Sequence, residues 1–151
     1  MEVFEKLLDP ELYAYFKKAT FYENPVFHTA HKMVDFYIEF ENVIPLEIYE
    51  QIITKLQLSL HAHVKLHMHT RNSAIEMDEL DRYVNYFVEK YSDVKDFRFL
   101  HPYLENDTIC FSTRDESRLA ALNLALASLM EKLADVGITQ EIMCKKVEDD
   151  I

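Results

Sequence analysis

The chain has 151 residues, a net charge of -11 and a hydrophobic content of 49%. This length fits one domain with a proper core, and the excess of acid disfavours binding to phosphate backbones. Membrane spans need about 18 or more consecutive apolar residues, and no such run is present. We therefore expect a cytoplasmic protein that has no signal peptide, in which Cys110 and Cys144 are reduced thiols.

Apolar spacing predicts that helices and strands alternate along the chain. Two short helices are expected first, because Asp9-Pro10 interrupts one amphipathic stretch. In chain order the predicted elements are helical Glu2–Lys18, an irregular connection or edge strand at Tyr22–Ala30, a strand at His31–Phe40, a helix from Pro45, a strand at His61–Thr70, a helix at Asp78–Tyr91, a short helix and turn within Val94–Leu104, a strand at Thr108–Ser112, a long helix, and a strand at Thr139–Val147.

The long helix before Gly137 is the predicted organiser of the core. Leucines recur at three- and four-residue steps on one face, namely Leu119, Leu122, Leu126, Leu129 and Leu133, followed by Val136. Thr113 and Glu116 have the spacing of a capping box. Gly137, the one glycine of the chain, occupies the place where a helix most often ends on a left-handed residue.

The predicted strands alternate between apolar and polar residues, so each has one buried face and one solvated face. This pattern predicts an α+β two-layer sandwich, with a sheet of three to four strands and helices on one face. The helices between the strands leave both parallel and antiparallel pairing open. We expect one domain over 1–151, because no linker or internal repeat is visible.

A row of histidines within one predicted strand is the only cluster in the sequence that suggests chemistry. His61, His63, His67 and His69 fall on one strand face, where residues two apart can converge on a metal ion. Lys65 interrupts that row, and no cysteine or carboxylate lies beside it in sequence, so Asp35 or Glu39 could complete a site only if the two strands are neighbours. We therefore interpret the row as a solvated face and expect no metal ligand, no cofactor and no catalytic residue.

Two segments resemble the N-terminal domain of PolC-type DNA polymerase III α subunits, the replicative polymerases of Gram-positive bacteria. The first is VDFYIEFENVIPLEIYEQIITKL, which has the aromatic strand, the leucine-proline turn and the tyrosine-bearing helix of that family. The second is NDTICFSTRDESRLAALNLALASLMEKLADVGI, which is similar to the strand, long helix and glycine turn that close the domain. The resemblance covers Lys32 to Val147. The chain departs from some relatives in having no tryptophan near Phe36.

The resemblance implies that the chain is a non-catalytic piece of a much longer enzyme, a DNA-directed DNA polymerase with a 3'-5' proofreading exonuclease. The acidic metal-binding motifs of the later polymerase and exonuclease regions are absent, so no catalytic residue carries over. The resemblance also implies a type II KH-like topology, similar to the polymerase-binding domain of the clamp-loader τ subunit. A KH domain that binds RNA needs a GXXG loop, which this chain cannot form with Gly137 alone.

Three functions follow as hypotheses. The first is a protein-interaction module whose partners are replisome proteins or other domains of the same polymerase, with no direct contact to nucleic acid or membrane. Its predicted contact residues lie on the polar faces of two strands: Asp35, Tyr37, Glu39, His63, Lys65 and His67. The alternatives are a free-standing metal-binding protein that uses the histidine row and a KH-like nucleic-acid binder, the latter disfavoured by charge.

Overall fold

A computed structural model describes residues 2–148, and these separate into two compact units. The first unit contains the chain up to Ser73 together with Asp135–Ile138, and the second contains Ala74–Ala134 and the chain from Thr139 onwards. Each unit combines helices with a three-stranded sheet. The predicted α+β class is therefore confirmed.

The first unit builds its sheet from a hairpin and a crossover. Its elements are α1 (Glu2–Leu7), α2 (Pro10–Tyr13), a 3-10 turn at Ala14–Phe16, β1 (Thr20–His28), a 3-10 turn at Thr29–His31, β2 (Met33–Asn42), α3 (Leu46–Leu60) and β3 (His63–Asn72). The sheet order is β1-β2-β3. Strand β1 pairs antiparallel to β2 with shifts in register, whereas β3 pairs parallel to β2. The irregular edge strand expected near Tyr22 is thus present as β1.

Aromatic rings form the core of the first unit on one face of β2. The Phe4 ring lies 5.0 Å from Phe16 and 5.1 Å from Phe36, and Phe16 lies 5.1 Å from Phe40. The other apolar positions of the two strands are buried beside them, as the alternation predicted: Val34, Ile38, Val64, Leu66 and Met68. Each fully buried side chain of this size contributes roughly 1.5–3 kcal/mol to stability. The burial of this set therefore determines which face of each strand lies against the core.

The second unit repeats the same order of hairpin and crossover. Its elements are α4 (Met77–Lys90), a 3-10 helix at Ser92–Phe97, β4 (Tyr103–Glu105), β5 (Thr108–Thr113), α5 (Glu116–Asp135) and β6 (Ile142–Lys146). The sheet order is β4-β5-β6, with β4 antiparallel and β6 parallel to β5. In both units, the helix that follows the central strand returns the chain to a parallel neighbour, as a crossover connection requires.

The prediction of one sheet is wrong, because the six strands within residues 2–148 form two separate sheets. Residue spacing identifies the strands, but it does not say which of them pair. Strand β4 was also missed, and its signal is the Asn106-Asp107 loop, where both residues have positive φ. Two such residues make the primed turns that close short hairpins. The single domain over 1–151 stays a prediction.

The capping residue at the start of helix α5 differs from the predicted one, whereas the residue after its end is the predicted glycine. Asp115 caps its start, because Asp115 Oδ1 accepts the Ser117 N–H at 2.9 Å and Asp115 O accepts the Leu119 N–H at 2.9 Å. The predicted capping box with Thr113 as the cap is therefore wrong. Gly137 follows the helix with φ +86, which confirms the left-handed residue expected there.

The buried face of α5 supplies the first stability prediction. Leu129 is fully buried, whereas Leu124, only five positions earlier in the same helix, is 86% exposed. We expect Leu129→Ala to lower the free energy of unfolding by about 2–5 kcal/mol, because it leaves a cavity in the core. Leu124→Ala is the matched control and should change it by less than about 0.5 kcal/mol. Urea denaturation of both variants tests this, and equal effects would contradict the assigned inner face.

Phe99 occupies a turn position that normally requires glycine. The Leu100 N–H donates to Phe97 O at 3.2 Å, and Arg98 has φ -59 and ψ 135 while Phe99 has φ +66. These angles define a type II turn with phenylalanine at its third position. The side chain is 78% exposed, so burial does not compensate for the left-handed backbone.

We expect Phe99→Gly to raise the free energy of unfolding by about 0.5–1 kcal/mol, since relief of the left-handed strain exceeds the added backbone entropy of glycine. Gly137→Ala is the opposite case. An added Cβ would overlap Thr70 Cγ2, and the backbone would remain at φ +86, so this variant should lose at least about 1 kcal/mol. Thermal or urea unfolding measures both, and a loss of stability in Phe99→Gly would contradict the turn assignment.

Candidate interaction surface

The parallel pairing of β2 with β3 builds one polar face on the first unit. The register places Asp35 opposite Lys65, Tyr37 opposite His67, and Glu39 opposite His69. Directly paired residues of neighbouring strands share a face, so the polar residues that alternate along each strand come together. Strand β1 adds Tyr22 and His28 to the same region, as their contacts below establish.

A buried carboxylate lies at the centre of this face. Asp35 Oδ2 accepts a hydrogen bond from His28 Nε2 at 2.8 Å, and Asp35 Oδ1 accepts one from His67 Nε2 at 2.8 Å. The other ring nitrogen of His67 lies 3.6 Å from an oxygen of Asp135. Both oxygens of the central carboxylate are therefore satisfied, and β1, β2 and β3 each contribute one member of the cluster.

Stacked rings extend the cluster along the strands. The Tyr37 ring stacks on His67 at 4.6 Å between centroids, and the Tyr22 ring stacks on His69 at 3.8 Å. The two tyrosines meet edge to face at 5.8 Å, and Tyr22 Oη donates to the His67 backbone oxygen at 3.3 Å. These contacts pack the rings into a continuous layer across the three strands.

The electrostatics of the cluster favour an ionised carboxylate beside neutral phenols. Burial raises the pKa of the Asp35 carboxyl, but the hydrogen bonds from His67 and His28 lower it by more, so the pKa lies below its ordinary value. Burial, with help from the carboxylate of Asp35, raises the pKa of Tyr37. Burial also raises the pKa of Tyr22, with smaller contributions from Glu23 and Asp135.

The six predicted contact residues do share the face, but they are not equally available to a partner. Asp35 is buried, whereas Tyr37, Glu39 and His67 are half-buried and His63 and Lys65 are exposed. Glu39 also accepts a hydrogen bond from Arg71 Nε at 3.2 Å. We therefore assign to Asp35 the role of orienting the side chains of His28 and His67. Whether any of the six contacts a partner stays a prediction.

The histidine row is shorter than its sequence spacing suggested. His61 ends α3 in a left-handed conformation, with φ 52 and ψ 41, and β3 begins only at His63. The expectation that four histidines share a strand face is therefore wrong. Within residues 2–148, no group of three histidine, cysteine, aspartate or glutamate side chains is arranged to hold a metal ion.

Sequence reasoning missed His28, Tyr22 and Asp135 as members of this cluster. Strand β1 has register shifts near Glu23 and Val26, so its residues follow no simple alternation that would assign them a face. Asp135 is far away in sequence and reaches the first unit through the return segment Asp135–Ile138, where Val136 bridges Met68. The pairing of β1 with β2 identifies Tyr22 and His28, and the path of the return segment identifies Asp135.

A comparison with known families finds a match to the segment that carries this face. Residues 2–69 match the family described as DNA polymerase III polC-type N-terminus I. The resemblance inferred from the sequence is thereby confirmed over 32–69, where it overlaps the match, and its second segment, from Asn106 to Ile138, lies outside the match. The matched residues correspond closely to the first unit without its return segment. A comparison with curated proteins finds no match. No helix in the described part of the chain is long and apolar enough to cross a membrane.

The lowered pKa of Asp35 gives a pH-dependent prediction. The pKa of Asp35 is higher in the unfolded chain than in the folded chain. The contribution of its carboxylate to folding stability is therefore fully present above the ordinary pKa of about 3.9, and it is lost as pH falls through the folded-state pKa. We expect Asp35→Asn to be less stable than the parent by about 1–3 kcal/mol at neutral pH, because a charged hydrogen-bond acceptor is lost. This difference should shrink in strong acid.

Urea denaturation at several pH values measures this difference. Glu41→Gln is the control, since Glu41 forms an exposed ion pair with Lys18 at 3.5 Å, and such pairs contribute about 0–1 kcal/mol. A destabilisation by Asp35→Asn that is the same at neutral and acidic pH would show that the charge of the carboxylate is not the source.

Proposed function

We propose that the chain is the N-terminal protein-interaction domain of a PolC-type DNA polymerase III α subunit. In this proposal the full-length enzyme synthesises DNA with 3'-5' proofreading in the cytoplasm, and this domain contributes contacts and no chemistry. The observation that carries the proposal is the family match over residues 2–69. Its partners would be replisome proteins or other domains of the same polymerase.

The charge of the chain supports a protein partner over a nucleic acid. A net charge of -11 repels phosphates, and DNA affinity depends on lysine and arginine neutralising several of them. The polar face of the first unit is rich in histidine, and its Arg71 is already engaged by Glu39. The face therefore offers few phosphate contacts, which disfavours the KH-like nucleic-acid alternative.

The metal-binding alternative is also disfavoured by the contacts of the histidines. His67 directs Nε2 to Asp35, and His61 lies outside the strand. A metal site would need at least three converging ligands, and the remaining pair, His63 and His69, flanks Lys65 and His67 on the strand.

The proposed contact consists of His63 and Lys65 with the exposed edges of Tyr37 and His67. An aromatic layer beside charged side chains suits a modest protein interface with a polar rim. The buried Asp35 supports this layer from below through His67. A partner would then meet rings whose orientation is already fixed, which lowers the entropic cost of binding.

We expect the double variant His63→Ala with Lys65→Glu to weaken association about tenfold or more, because charge reversal at a contact penalises a partner of complementary charge. Both side chains are exposed, so the melting temperature should hardly change. The measurement is a titration of the chain with purified replisome proteins and with the remaining polymerase polypeptide of the same source. Lys17→Glu is the control, because Lys17 is an exposed lysine of the first unit and its reversal changes the net charge by the same amount as Lys65→Glu.

Undiminished binding by a folded double variant would move the contact away from this face. The isolated chain should also incorporate no nucleotides into a primed template. A polymerase activity that purifies with the chain and is lost on mutating its own residues would contradict the non-catalytic assignment.

A further inference from the structure

We propose that His67 is a pH-sensitive clasp, which holds the return segment against strand β3 while its imidazole ring is protonated. The return segment begins at the last residue of α5 and lies beside β3, where Val136 bridges Met68 and Gly137 O accepts a hydrogen bond from Thr70 Oγ1 at 2.7 Å. These contacts and His67 all belong to the first unit. The inference goes beyond the proposed function, because it holds whichever partner the polar face contacts.

Both ring nitrogens of His67 face a carboxylate. Nε2 lies 2.8 Å from Asp35 Oδ1, and Nδ1 lies 3.6 Å from Asp135 Oδ1. A neutral imidazole has one N–H and presents a lone pair at its other nitrogen, whereas the protonated ring has an N–H at each. The protonated ring therefore attracts both carboxylates at once. The shorter contact assigns the remaining N–H of the neutral ring to Nε2, so loss of the proton directs a lone pair at Asp135.

The carboxylate of Asp135 lies at a position that disfavours negative charge. Asp135 is the last residue of α5, a helix of 20 residues. The carbonyl groups at the C-terminal end of a helix carry a partial negative charge, which favours lysine, arginine and protonated histidine there. Protonated His67 supplies a positive charge beside the Asp135 carboxylate and offsets this repulsion. Deprotonation thus removes an attraction and leaves the repulsion uncompensated.

The other charged and ionisable groups around His67 come from all three strands of the sheet and from the return segment: Tyr22, Glu23, His28, Asp35, Tyr37, Glu39, Lys65, His69 and Asp135. Histidine is the residue type among them whose charge changes between about pH 5 and pH 8. His28 and His69 must therefore be distinguished from His67. Both have contacts of their own, because His28 bonds Asp35 Oδ2 and His69 stacks on Tyr22.

The pair of His67 and Asp135 is partly shielded from water. The His67 side chain is 18% exposed and the Asp135 side chain is 44% exposed. Salt screens partly buried charges less than it screens surface charges, yet the ring can still exchange its proton with solvent. Loss of the proton also changes the charge of the polar face, because His67 belongs to that face and stacks on Tyr37.

Amide hydrogen exchange of the full chain measures the clasp. Protection of Val136–Ile138, corrected for intrinsic exchange rates, is compared at about pH 5.5 and about pH 8.5, on either side of the range in which histidine changes charge. We expect protection to be about threefold or more higher at the lower pH, which is the effect of a modest ion pair. The ring ¹⁵N shifts of His67 should show that Nδ1 loses its proton over the same range.

Asp135→Asn is the sharpest variant, because the two states of His67 predict different effects. At about pH 5.5 it should lower protection of the return segment about threefold, since an attraction is lost. At about pH 8.5 it should leave protection unchanged or raise it, since a carboxylate is removed from the helix end. Asp93→Asn is the matched control. Asp93 pairs with Lys132 at 2.9 Å, and lysine stays charged over this range, so protection in Ser92–Phe97 should change equally at both pH values.

Two histidine variants identify the ring that titrates. His67→Gln places an amide N–H near the position of Nε2 and keeps a donor to Asp35, but it removes the N–H that faces Asp135. We expect this variant to abolish the pH dependence of protection in the return segment. His28→Gln keeps a donor to Asp35 in the same way, and it should retain the pH dependence in full.

Equal corrected protection of the return segment at the two pH values in the parent chain would overturn the clasp. So would an Asp135→Asn variant that lowers protection equally at both, or a pH dependence that persists in His67→Gln and disappears in His28→Gln. The difference between the two pH values in Asp135→Asn decides the proposal even if His67→Gln does not fold.

Discussion

The pairing of β2 with β3 is the constraint on which the first unit depends. Because the two strands are parallel and in a fixed register, Val34 lies beside Val64, Phe36 beside Leu66 and Ile38 beside Met68, and polar residues meet on the opposite face. A shift of one residue would exchange the two faces of a strand. The aromatic contacts of Phe36 and Phe40 on the apolar face prevent that exchange. The same packing therefore stabilises the unit and positions its polar surface.

Asp35 shows how the polar face is held in place. Burying a carboxylate is unfavourable unless its oxygens are paired, and both oxygens receive a histidine N–H here. The two histidines come from strands on either side of β2, so the cluster joins all three strands of the sheet through side chains. An apolar residue at this position would also fit a sheet. The carboxylate is thus better explained by the orientation it gives to His28 and His67 than by stability alone.

The alternation of residues made the strands, the α+β class and the shared face of Asp35, Tyr37, Lys65 and His67 predictable. It could not predict His28 or Asp135, because their membership depends on an irregular edge strand and on a return segment distant in sequence. The two sheets were missed for a related reason, since spacing identifies strands without their partners. His61 was misplaced because alternation continued through it, although the helix before it ends there in a left-handed residue.

The residues with positive φ divide into those that local structure explains and those that it does not. Gly137 ends a helix, and Asn106 and Asp107 close a hairpin with side chains that tolerate this conformation. Lys32 and His61 also end helices, the first a 3-10 helix and the second α3, and the end of a helix is where a left-handed residue is most common. Phe99 differs from these residues, because its exposed side chain occupies the position of a type II turn that normally requires glycine. The strain at Phe99 is therefore the one that neither a helix end nor a tolerant side chain offsets.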